Sequence, residues 1–133
     1  MSEVYAFGQV TDELLIALHR AAAPDASPDS IAGKLELIVD SDASGYAFSG
    51  LDVMNPVHVG LFFARAVIDT HAFIEGNKRT ATALFKYIVT ESGGDWGVDD
   101  SVLPDLINML YAISTESFID FATNWPNGFS VEP

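Results

Sequence analysis

Cysteine is absent from the 133 residues, so neither a disulfide framework nor a thiolate metal site is open to this chain. Positive charge is scarce: six Lys and Arg stand against nineteen Asp and Glu, a formal net charge of −13. Phosphate backbones are bound by basic faces, so nucleic acid is excluded as the main partner. No apolar run reaches the roughly 18–20 residues that cross a bilayer. Met1–Val10 is neither basic nor long enough to read as a signal peptide, so a cytoplasmic address with no membrane partner is expected. Sustained strand alternation, internal repeats and a linker are also missing. What is present is 49% hydrophobic residues with 19% charged. That composition supports one core, and residues 1–133 are expected to form a single domain.

The periodicity is helical throughout. Thr11 reads as an N-cap, followed by acids in the first turn and an apolar stripe through Leu14, Leu15, Leu18 and Ala22. Pro24 and Pro28 close that helix. A weaker helix is expected from Ser30 to about Val39, then an exposed loop or hairpin over Asp40–Met54. Asn55-Pro56 is a strong helix start, and Val57–Ile68 is apolar almost all round, which predicts a central helix. After a break at Thr70–Glu75, a second long helix is expected from about Asn77 to Ser92, stopped by Gly93-Gly94. Two further helices follow, at Ser101–Ile113 and Thr115–Trp125. The fold class expected is all-α.

Chemistry concentrates at one place. Three of the six cations, Lys78, Arg79 and Lys86, fall within nine positions, and the first two open a predicted helix. Cations there oppose the macrodipole, so helix stability does not explain them, and the plain alternative for Arg79 is an ion pair with one of the many acids. An anion explains both: backbone N–H groups, the positive helix end and two cations suit a phosphate, with Gly76 offering close backbone approach. His71 can take a proton from a hydroxyl. Glu75 can hold Mg²⁺ on bridging phosphate oxygens, and Asn77 can orient a phosphate or cap the helix. Such parts suffice for phosphoryl or nucleotidyl transfer. His19 and His58 read as structural, and Phe73 as core packing.

Taken together, His71-Ala-Phe-Ile-Glu-Gly-Asn-Lys-Arg79 resembles the signature of the Fic/Doc family, His-x-Phe-x-(Asp/Glu)-Gly-Asn-(Gly/Lys)-Arg, at all seven specified positions of nine. The resemblance is strong over about Asn55–Gly94 and looser outside it. It implies a bundle of about six helices with the motif loop between two central ones. His71 would be the base that deprotonates a target hydroxyl and Glu75 the Mg²⁺ ligand. Gly76, Asn77 and Lys78 would form the anion nest, with Arg79 on the phosphates and Phe73 anchoring the loop.

Two positions favour the Doc (death-on-curing) side of the family. Lys78 stands where Fic adenylyltransferases have glycine, and Thr82 stands where they have a second arginine. The resemblance then implies transfer of the γ-phosphate of ATP to a Ser/Thr hydroxyl of a protein. For the best-known Doc toxin that protein is elongation factor Tu, and translation stops. No segment fits the self-inhibitory pattern (Ser/Thr)-x-x-x-Glu-(Gly/Asn), so restraint by a Phd-like antitoxin is expected. The stretch Pro24–Met54 lacks the Arg-Asp-x-Gly-Leu-Leu-Glu-Ser run of Doc-like chains, which points to altered docking. Within it Tyr46 and Phe48 read either as target-docking aromatics or as a lid on the core. The alternatives to a kinase are AMP transfer at the same site and a non-catalytic helical binding module.

Overall fold

The structure, a computed structural model, describes residues 10–26, 50–52, 54–70, 73–111 and 113–125. The regular elements among them are all helical, with no strand among the described residues. The expected helix at Ser30–Val39 lies outside the described residues, as does most of the expected loop after it, with Tyr46 and Phe48. Five α-helices and one 3-10 turn are therefore what can be set against an expectation of about six.

Helix α1 spans Asp12–Ala22 and is capped as its sequence suggests, the Leu14 N–H donating to Thr11 Oγ1 at 3.2 Å. Its buried side carries Leu15 and His19, with Ala23 just past the end. Helix α2, Pro56–Thr70, begins where Asn55 Oδ1 accepts the Val57 N–H at 2.9 Å and proline fills the first position, whose N–H needs no partner. Nearly every side chain from Val57 to Ile68 is buried, which makes this helix central, as expected. Helix α3, Asn77–Glu91, buries Ala81, Leu84, Phe85, Ile88 and Val89, a three-and-four spacing along one face. It stops at Gly93, in the left-handed region at φ 77°. There the Gly94 N–H returns to Val89 O at 2.9 Å and the Gly93 N–H to Thr90 O at 3.0 Å.

Two expected helices are shorter than their sequence suggests, the last of them ending at Thr123 where Trp125 was expected. Instead of Ser101–Ile113, helix α4 covers Leu103–Asn108 and passes into a 3-10 turn at Met109–Tyr111. The late start has a local cause: Asp99 Oδ1 accepts both the N–H and the hydroxyl of Ser101 at 3.0 Å, holding a side-chain turn in place of a helical one. Helix α5, Thr115–Thr123, is capped by Ser114, whose Oγ accepts the Ser117 N–H at 3.1 Å.

Helices α2 and α3 form the most extensive pair, and α1 and α4 flank α3 while α5 and the 3-10 turn pack on α2. Close approach of the central pair requires Gly60: a Cβ there would stand 2.9 Å from Phe85 Cδ1. The largest wholly buried side chains are Phe63, Phe73, Phe85 and Phe118, each contributing about 1.5–3 kcal/mol by burial. Arg65 fastens α2 to the approach to α5. It donates to Ile113 O at 3.1 Å, lies 4.9 Å from the Phe118 ring centre and sits 3.2 Å from Asp69 Oδ2. Burial raises the Asp69 carboxyl above its ordinary value against the opposing pull of Arg65. Burial also lowers His58, against the charge of Asp52 and a hydrogen bond to the Ala122 backbone. Its Nδ1 accepts the Asp52 N–H at 2.9 Å, so the neutral ring ties the segment before α2 to the bundle.

Candidate anion-binding site

The turn from Phe73 to Gly76 links α2 to α3, and its shape is set from both sides. Within the turn, Asn77 Oδ1 accepts the Phe73 N–H at 2.8 Å and Asn77 Nδ2 donates to Phe73 O at 2.7 Å. Both polar atoms of that buried amide serve one backbone unit, so Asn77 contributes the form of the loop. The cap position of α3 belongs to Gly76 instead. From the α1 side, His19 stacks on Phe73 with ring centres 3.9 Å apart and planes 10° from parallel. Its Nε2–H donates to Glu75 O at 2.9 Å.

Gly76 is required both by its backbone conformation and by the packing of α1. Its φ of 81° is left-handed, and an added Cβ would lie 2.7 Å from Ala23 Cβ and 3.3 Å from His19 Nε2. The absent side chain therefore makes room for α1 and the residue that follows it. The glycine is indispensable to the shape of the turn.

Glu75, Lys78 and Arg79 are exposed around this turn. Together with Ile74, Gly76 and Asn77 they line an open depression of about 400 Å³. Lys78 and Arg79 also border a second depression of about 310 Å³, with Ala22, Thr82, Ala83, Lys86 and Pro104. Thr82 uses its hydroxyl on its own helix, donating to Lys78 O at 3.0 Å. Arg79 Nη1 donates to Asp25 Oδ1 at 2.8 Å, and that guanidinium holds the Asp25 carboxyl below the usual carboxylate range. Lys86 stands 3.5 Å from Asp100 Oδ2 and 5.7 Å from the Trp96 ring centre.

The structure thus brings Glu75, Gly76, Asn77, Lys78 and Arg79 to one depression at the N-terminus of α3. His71, two residues before Phe73, lies outside the described residues, as do Tyr46 and Phe48. No cluster of three or more His, Asp or Glu that could hold a metal by itself occurs among the described residues. One exposed carboxylate suits Mg²⁺ only as an ion shared with phosphate oxygens, which is how that cation is commonly held.

The structural reading of His19 agrees with its burial, and what sequence reasoning missed is the partner of each of two residues. His19 sits four residues after Leu15 on the buried stripe of α1, a position that flags burial and leaves its partner unnamed. Asp25, 54 positions from Arg79, gives no signal in the sequence. Comparison with protein-family models, with curated proteins and with solved structures finds no match.

Proposed function

We propose that this chain is a Doc-like phosphotransferase of the Fic/Doc family, moving the γ-phosphate of ATP to a Ser/Thr hydroxyl of a protein. The observation that carries the reading is the depression at the start of α3. In a chain of net charge −13, it gathers two cations, a carboxylate and a helix N-terminus. A helix start and two cations favour a polyanion, and the Glu75 carboxylate in the same lining suits an Mg²⁺ shared with phosphate oxygens. The residues present fit that group: Glu75 would hold the ion, and Lys78 and Arg79 would hold the phosphates. Bound there, Mg²⁺ supplies charge neutralisation on the transferring phosphoryl group.

In this reading Gly76 and Asn77 keep the nest in shape, one by its left-handed backbone and the other by its two bonds to Phe73. His71 takes the proton of the target hydroxyl as the new O–P bond forms and ADP leaves. Phosphate in place of AMP transfer is favoured at position 82, where a threonine turned onto its own helix stands in place of a second arginine. The biological setting that follows is a cytoplasmic toxin acting on elongation factor Tu and neutralised by a Phd-like antitoxin. Intact-mass measurement of elongation factor Tu after incubation with the protein, ATP and Mg²⁺ tests the reading. A gain of one phosphate is expected. A gain of one AMP, or no change, contradicts it.

A further inference from the structure

We infer that His19 is a positioning residue for Glu75, an inference that rests on the reading of Glu75 as the carboxylate that shares Mg²⁺ with ATP. The imidazole is only 3% exposed and lies on a helix otherwise buried through apolar side chains. Filling that space needs no nitrogen, and burying a polar ring costs free energy unless its N–H is satisfied. The group that satisfies it is the carbonyl of Glu75, 2.9 Å from Nε2. The same ring lies flat on Phe73 and reaches within 3.3 Å of where a Cβ on Gly76 would stand.

One side chain therefore holds two of the four residues from Phe73 to Gly76, one by stacking and one by its hydrogen bond. Their position is referred to α1, an element separate from the two helices that the turn connects. Mg²⁺ tolerates little departure from octahedral geometry, so a small shift of the Glu75 backbone moves its carboxylate out of register with the phosphates. The ring itself need touch neither metal nor nucleotide.

The experiment compares binding of Mn²⁺–ATP, read by Mn²⁺ paramagnetic resonance, in the full chain and in His19→Phe and His19→Gln. Phenylalanine keeps the stacked ring and removes the donor; glutamine places an amide N–H near Nε2 and removes the ring. His19→Phe is expected to weaken Mn²⁺–ATP binding by about 10–100-fold, the range for losing a group that orients a metal ligand. His19→Gln is expected to restore most of the affinity. Amide exchange at Glu75–Lys78 should quicken in His19→Phe and slow again in His19→Gln, with α2 unchanged. If His19→Phe does not fold, His19→Asn takes its place, since its amide is too short to reach the Glu75 carbonyl. Wild-type affinity in the donor-less variant overturns the inference, as does equal weakening in His19→Phe and His19→Gln. A wild-type chain that binds no Mn²⁺–ATP overturns the phosphotransfer reading and the positioning role with it.

Discussion

Replacing Gly76 with alanine probes how the turn before α3 is held. Two costs add. An L-residue at φ 81° pays left-handed strain of about 1–2 kcal/mol. The new Cβ also meets Ala23 Cβ at 2.7 Å, and crowding of that kind in a packed region costs about 1–3 kcal/mol. Gly76→Ala should therefore lose about 2–5 kcal/mol, a large share of the 5–15 kcal/mol typical of a domain. Urea unfolding followed by far-ultraviolet circular dichroism measures the loss directly. The crowding part can be separated from the strain, because it needs both methyl groups. A double-mutant cycle with Ala23→Gly should return a favourable coupling of about 1–3 kcal/mol, leaving the strain in place. A loss below about 0.5 kcal/mol for Gly76→Ala, or strict additivity with Ala23→Gly, would refute the account of this turn.

Asn77→Ala leaves the Phe73 N–H and C=O without their partners; at about 1–3 kcal/mol for each unsatisfied group, the melting temperature should fall clearly. Asp25→Asn removes the charge that competes for Arg79, so binding of inorganic phosphate, measured by calorimetry, should tighten a few-fold while the melting temperature holds. His58 adds a pH dependence. Its folded pKa is lowered from 6.5 by burial, so the unfolded chain takes up the proton more readily. Stability is then full above about pH 6.5 and is lost as pH falls below it toward the folded value. Urea midpoints across that range should show the decline, and His58→Asn, which keeps an acceptor for the Asp52 N–H, should flatten it.

Legibility from sequence followed how local each cause is. Thr11, Asn55-Pro56 and Gly93-Gly94 act on backbone groups within a few residues, so the ends of α1, α2 and α3 could be placed from them. The apolar wrap of Val57–Ile68 marked the central helix for the same reason. The start of α4 was misplaced because Ser101 reads as a helix opener until its hydroxyl is seen on Asp99. At the site, cations facing a helix N-terminus were visible as an oddity of charge. What was hidden is the set of long-range contacts around them: the close packing of Ala23 on Gly76, the reach of His19 to Glu75 and the pairing of Asp25 with Arg79. Each is a contact across more than 50 positions of chain, fixed by how α1 packs on α3 and by nothing in the local pattern.

The most direct test of the phosphotransfer reading is the rate of label transfer to elongation factor Tu from ATP labelled at the γ-phosphate, in the wild-type chain and in His71→Ala. The expected result is transfer by the wild-type chain and a fall of roughly 10²–10⁴-fold in the variant, the usual share of a general base, at an unchanged melting temperature. Equal rates in the two proteins, or label arriving only from ATP marked at the α-phosphate, would contradict it.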